Sequence, residues 1–212
     1  MKKSTPTKSR GRPVDNELQS QQKQKLIFAA HQLLNSKTYK GITIREIAEL
    51  AGTKSAMISY YFGNKEGLFL AVMEFALSQQ EQMLQAILQT PKPIKSFIGL
   101  MINMAIENPG LIRFVHDEVL AQESTLQQAF IKGMPDKMSV FVPQLIQQEI
   151  DKGNFRTDLN TKYAAFSLVS MIMTPFVIAP IREQAWKISH QELTQPQWLD
   201  HIYNLFINGC RP

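Results

Sequence analysis

The stretch Thr43–Phe69, TIREIAELAGTKSAMISYYFGNKEGLF, decides how the chain is read. Thr43 stands just before an apolar-periodic run and Glu46 follows three residues later. That is the spacing of a capping box, in which side chains and backbone at a helix start satisfy one another. Ile42 and Ile47 occupy the positions of a hydrophobic staple across the cap. A helix is therefore predicted from Ile44, with Ile44, Ile47, Ala48 and Ala51 on one face. Gly52 supplies the positive φ that ends it. A second short helix is predicted from about Lys54 to Tyr61, anchored by Ile58 and Phe62. Asn64 caps a third helix, which Lys65 and Glu66 begin. Two short helices joined by a tight glycine turn make the unit that places one helix in the major groove of DNA.

The predicted outward face of the second helix carries Ser55, Ala56 and Ser59. These side chains are small enough to let the backbone approach base edges. Ala56 suits a thymine methyl, and Ser55 can bond to several bases. Tyr60 and Tyr61 offer hydroxyls toward phosphate oxygens. Lys65 adds a cation at a helix N-terminus, where free N–H groups also attract phosphate. Thr43, Arg45, Lys54 and Met57 complete the expected DNA-facing set, Met57 fitting either the DNA surface or the core.

These residues resemble the DNA-binding domain of the tetracycline-repressor (TetR/AcrR) family of bacterial transcription regulators. The matching positions are Thr43, Ile47 and Ala48, Ala51-Gly52, Ile58, Tyr61-Phe62 and Asn64-Lys65-Glu66, with Leu68 behind them. The detailed resemblance covers about residues 20 to 75. It departs from the family pattern at Lys54, where Ser or Ala is usual, and at Ser59, where Tyr is frequent. A phosphate contact is thus expected from Tyr60 and Tyr61 rather than from position 59.

Charge is distributed as such a module requires. The chain has 212 residues and a net charge of +5. Residues 1–75 carry 12 Lys and Arg against 6 Asp and Glu, while the remainder carries 11 against 12. A polyanion partner at the amino-terminal end follows, and a different role for the rest. Residues 1–19 are polar, basic and broken by Pro6, Gly11 and Pro13, and are predicted to be a disordered arm. Within it, Arg10-Gly11-Arg12-Pro13 has the form of an AT-hook core. Arg10 and Arg12 flank a glycine thin enough for a narrow minor groove; the alternative is a solvated basic tail that adds phosphate affinity. The single Cys210 cannot form an intramolecular disulfide, and no apolar run follows the basic start. Both point to a cytoplasmic protein without a secretory leader.

The fold class is all-α. A three-helix DNA-binding domain over residues 20–65 is expected, its first helix spanning about Ser20 to Lys37. A helical effector-binding and dimerisation domain over 66–212 follows. The fourth helix carries Leu68, Val72, Phe75, Met83, Leu84 and Ile87 and runs out of the first domain into the second. Further helices are predicted over Pro93–Glu107, Leu111 to about Gln122, Thr125–Lys152 with a weak point at Gly133-Met134-Pro135, Asn160–Trp186 and Gln195–Asn208. The run Phe166–Ile181 is apolar but only 16 residues long and holds two prolines, short of the roughly 20 residues a membrane span needs.

The resemblance implies a homodimer through the last two long helices, here 160–185 and 195–209. It also implies a small-molecule pocket among the central helices. Phe97, Met101, Met104, Phe114, Phe141, Phe166 and Met173 are the candidate lining, an adaptable apolar wall suited to a small hydrophobic effector. No cofactor is expected, and no metal, since adjacent His116-Asp117-Glu118 do not share a helix face and a site there would need distant partners. The alternatives are a DNA-binding structural or division-control protein without an effector, and a helical-bundle enzyme. Against the latter, no nucleophile elbow, phosphate-cradling glycine loop, HExxH or CxxC spacing occurs.

Overall fold

The computed structural model describes residues 16–121 and 123–212. Among these every regular element is helical. Helix α1 (Asn16–Ser36) starts four residues before the expected position, and a 3-10 turn at Tyr39–Gly41 leads to α2 (Ile44–Leu50). Helices α3 (Ala56–Phe62) and α4 (Lys65–Ile87) complete the amino-terminal part. Asn64 caps α4 by accepting from the Gly67 N–H at 2.8 Å.

Helix α5 (Pro93–Glu107) has proline at its first position, where the missing N–H costs nothing. Helix α6 (Pro109–Phe114) runs directly into a single π turn, Val115–Val119. The predicted Thr125–Lys152 helix is two, α7 (Thr125–Ile131) and α8 (Met134–Asp151), separated at Gly133; Pro143 lies inside α8. The predicted Asn160–Trp186 helix is also divided. Helix α9 (Thr161–Val177) stops at Ile178, and α10 (Ala179–Gln184) begins with Pro180 in its first turn. A proline there disfavours helical geometry in the residue before it and removes an N–H, so the apolar run cannot continue as one rod. The buried Arg182 holds this corner by donating to the Pro175 and Ile188 carbonyls. A single turn, α11 (His190–Leu193), precedes α12 (Pro196–Cys210).

Two cores form. One gathers Leu26, Ala30 and Leu34 of α1, Ile47 and Ile58 of the short pair, and Leu68, Phe69 and Val72 of α4. It also takes in Phe114, Val119 and Leu126, from α6, the π turn and α7. The packing thus does not follow a boundary at residue 66. The second core joins α5, α8, α9 and α12 through Phe97, Ile98, Met101, Val142, Leu145, Ile146, Leu168, Ile172 and Phe206, with Cys210 at its edge.

Gly110 marks where the two parts meet. A Cβ at this position would lie 2.2 Å from the Leu34 carbonyl oxygen. Only a residue without a side chain lets α6 press its start against the end of α1. Arg113, one turn on, donates to that same Leu34 carbonyl at 2.8 Å. The carboxyl end of α1, which has no basic residue of its own in its last turn, is capped from across the chain.

Candidate nucleic-acid interface

The start of α2 is a complete capping box. The Thr43 hydroxyl accepts from the Glu46 N–H at 3.2 Å, and the Glu46 carboxylate accepts from the Thr43 N–H and hydroxyl, each at 2.8 Å. Lys37 pairs with the same carboxylate. The Lys37 ammonium, then the Thr43 donors, lower the Glu46 pKa to about 2. At the other end Gly52 adopts φ +65°. Its N–H donates to the Glu49 carbonyl at 3.1 Å and that of Thr53 to the Ala48 carbonyl at 2.9 Å, the paired bonds of a Schellman stop. That turn aims α3 across α2. Ser55 takes the N-cap position of α3 without a capping hydrogen bond. Gly63, at φ +78°, ends the helix.

Burial then decides which predicted residues face outward. Ile58 is fully buried beneath α3. Lys54, Ser55, Ala56, Ser59 and Tyr60 are exposed on one continuous face, and Thr43 and Arg45 are exposed at the start of α2. Among the described residues Arg45 and Lys54 have no ion-pair partner, whereas the Thr43 hydroxyl is committed to its cap. Small side chains flanked by exposed cations and a phenol leave the backbone of α3 approachable. This surface can dock a polyanion and read base edges.

The other three predicted contacts turn inward. Met57 is half-buried against the core. The Tyr61 hydroxyl donates to Gln22 of α1 at 2.9 Å. The Lys65 ammonium donates to the Tyr39 carbonyl and stands 4.1 Å from the centre of the Tyr39 ring. Burial lowers the Lys65 pKa, with the Glu118 and Glu46 carboxylates opposing. Burial likewise raises that of Tyr39, helped by Glu66 and Glu118. Lys65 therefore braces the 3-10 turn beneath α2 instead of projecting toward a phosphate. Sequence reasoning missed Gln22 and Lys37, whose partners lie 39 and 9 residues away; no helical spacing links either pair. Arg10 and Arg12 lie outside the described residues.

The candidate effector lining is divided. Phe97 and Met101 are buried in the second core, and Met104, Phe141 and Met173 pack at its margin. Phe114 belongs to the first core, its ring 5.3 Å from Phe69 and 5.0 Å from Tyr39. Phe166 is 77% exposed. Helical periodicity correctly marks these faces as apolar but does not say which neighbour they meet. A cavity of about 150 Å³ lies between α1 and α6, lined by Tyr39, Lys40, Arg113, Phe114 and Glu118 among others. Another of about 250 Å³ lies at the opposite end, against Lys92, Phe155 and Tyr203. Of the seven candidate residues only Phe114 touches either cavity.

Residues 26–72 match the family described as bacterial regulatory proteins, tetR family. The chain therefore carries a DNA-binding domain of the TetR/AcrR family over residues 26–72. It is a transcription regulator with a TetR-type DNA-binding domain at its amino-terminal end. Over its length it is similar to the HTH-type transcriptional regulator RutR of Escherichia coli (strain K12), with 24% identity over 91% of this chain and 92% of that one. It is also similar to the nucleoid occlusion factor SlmA of Marinomonas sp. (strain MWYL1), with 23% identity over 86% and 94%. The transcriptional regulator FadR from Bacillus subtilis, solved in complex with stearoyl-CoA, superimposes with a TM-score of 0.71 over 89% of this chain and 99% of that one, at 17% identity. That likeness shows a shared fold over most of the chain. No helix among the described residues is long and apolar enough to cross a membrane.

Proposed function

We propose that this TetR-family regulator is a cytoplasmic homodimeric repressor that binds a palindromic operator and is released by a small, mostly apolar ligand. The observation that carries the DNA part is the exposed face of Lys54, Ser55, Ala56, Ser59 and Tyr60 on a helix whose opposite side is anchored by Ile58. Two copies related by a two-fold axis would set these faces in successive major grooves, about 34–36 Å apart. Arg10 and Arg12 would extend the contact into the flanking minor groove.

The dimer reading is supported by large apolar side chains left uncovered around α9 and α12. Tyr163 is 75% exposed, Phe166 77%, Trp186 74% and Leu205 56%. Clusters of this kind mark association surfaces. Phe166 belongs on that face rather than in a ligand pocket. The effector reading rests on the Met- and Phe-bearing second core and on the stearoyl-CoA complex of FadR. Phe97 and Met101 are fully packed, so a ligand would enter by parting α5 from α8 and α9.

A second reading is a DNA-bound structural or division-control protein with no small effector. The closed second core and the similarity to a nucleoid occlusion factor favour it. Selecting double-stranded DNA from a random pool with the full chain, then titrating the complex with apolar carboxylates, acyl-CoA thioesters and aromatic compounds, tests both. The repressor reading expects recovery of a palindrome and release by one compound class. A recovered site that no compound releases supports the second reading. Failure to recover any DNA overturns both.

A further inference from the structure

We propose that Asn108 is the positioning residue that couples the interior of the second core to the DNA-binding unit; this rests on the DNA-binding reading above. Asn108 stands between α5 and α6, and each of its polar groups is engaged. Its backbone N–H and its side-chain amide N–H both donate to the Met104 carbonyl, at 3.1 and 2.9 Å. Its own carbonyl accepts from the Leu111 and Ile112 N–H groups, both at 3.1 Å, and so starts α6. Because the amide nitrogen is held by Met104, the amide oxygen is the end that faces α1. There it accepts the Nε2 proton of His31 at 2.8 Å. That bond fixes the neutral imidazole as the Nε2–H tautomer.

One half-buried amide thus closes α5, opens α6 and ties both to α1. Its two ends differ in what they report. Met104 packs against the second core beside Met101 and Phe97. His31 lies on the helix whose Leu26, Ala30 and Leu34 support the α2–α3 pair. Any movement of the α5 terminus that accommodates a ligand must either carry His31 with it or break a half-buried hydrogen bond, an alternative that leaves two polar groups unpaired. The neighbouring contacts make the first outcome the easier one. Gly110 seats its backbone on Leu34, and Arg113 holds the Leu34 carbonyl. A turn of α6 is therefore transmitted to the end of α1 as a rigid displacement. Such a bridge counts as a coupling element once both sites are seen to bias it, which proximity alone does not show.

Coupling is reciprocal, so DNA can report it without any knowledge of the ligand. The measurement is amide hydrogen exchange on the full chain, with and without the duplex that the wild-type protein selects from a random pool. Wild type should show exchange slowed about fivefold or more on adding DNA, the lower end of ordinary coupling factors, at residues 104–108 as well as along α1. In Asn108→Ala the slowing along α1 should persist while that at 104–108 disappears, with DNA affinity within about threefold of wild type. His31→Gln keeps an N–H donor for the amide oxygen and should restore transmission; His31→Leu should not. This pair leaves the Asn108 cap on α5 intact, and it carries the test if Asn108→Ala does not fold. Undiminished slowing at 104–108 in Asn108→Ala or His31→Leu overturns the proposal, as does a wild-type protein whose α5 terminus ignores bound DNA. A wild-type protein that selects no duplex overturns the DNA-binding reading itself and the proposal with it, an outcome visible before any variant is made.

Discussion

The core beneath α3 gathers three aromatic rings into one close cluster and is bounded by polar caps, whereas the rings of the carboxy-terminal core stand farther apart among aliphatic and thioether side chains. In the first, Tyr39, Phe69 and Phe114 stand within 4.9–5.3 Å of one another, and Lys65 covers the Tyr39 ring. The second is built largely from Ile, Leu, Val and Met, its ring pairs Phe97–Phe141 and Phe155–Phe206 each at 6.2 Å. Aromatic edges and ion–ring contacts are directional; Met and Leu side chains repack at low cost. The contrast suits the proposed roles, since a groove-reading surface must be presented in one geometry while a pocket must deform around its ligand.

Substitutions can break this contrast. The largest effect is expected from Phe69→Ala, about 4 kcal/mol for a buried phenylalanine, measured by urea unfolding. It should also abolish DNA binding in a gel shift. Phe97→Ala should cost a similar amount yet leave DNA affinity within about tenfold, because its cavity opens in the other core. Equal loss of DNA binding in both variants would show that the two cores act as one. Gly110→Ala should destabilise by about 3 kcal/mol, since the new methyl meets backbone that cannot give way. Asn64→Ala, which removes the α4 cap, should cost about 1 kcal/mol. Arg45→Ala and Lys54→Ala should leave stability within about 0.5 kcal/mol. Each should reduce the slope of log affinity against log salt by about 0.9 if it meets a phosphate.

The smallest effect is pH-dependent. The Glu46 pKa in the folded chain, about 2, lies below the roughly 4.3 of an unpaired glutamate. Its contribution is therefore complete above pH about 4.3 and is lost as pH falls through about 2. The difference in thermal midpoint between wild type and Glu46→Gln should shrink over that interval. A constant difference would show that the carboxylate charge does not support the cap.

Local chemistry explains what was legible in the sequence. Thr43, Glu46, Gly52 and Asn64 act on backbone within a few residues of themselves, so spacing alone identified the α2 cap, the turn and the α4 cap. Lys65 was read by the same local logic as a phosphate contact. Its position is instead set by the Tyr39 carbonyl, 26 residues away. Phe114 and Phe166 were recognised as apolar, but the first completes the DNA-side core and the second remains uncovered, because periodicity identifies a face and not the surface it meets. The His31–Asn108 bond spans 77 residues between two unremarkable polar side chains, and nothing in either neighbourhood announces it. The break at Ile178 was present in the sequence as Pro180, outweighed by the hydrophobicity of the run around it.

Cys210 has a practical consequence. It is the only cysteine in the chain, both tryptophans (Trp186 and Trp198) also lie in the carboxy-terminal part, and the amino-terminal core contains neither residue type. Burial shields the Cys210 thiol and raises its pKa, so a thiol-specific dye should react only as fast as the surrounding bundle opens. The unaltered protein thus carries its own one-sided reporter, in which dye uptake and indole emission follow the bundle while the DNA-reading half stays silent.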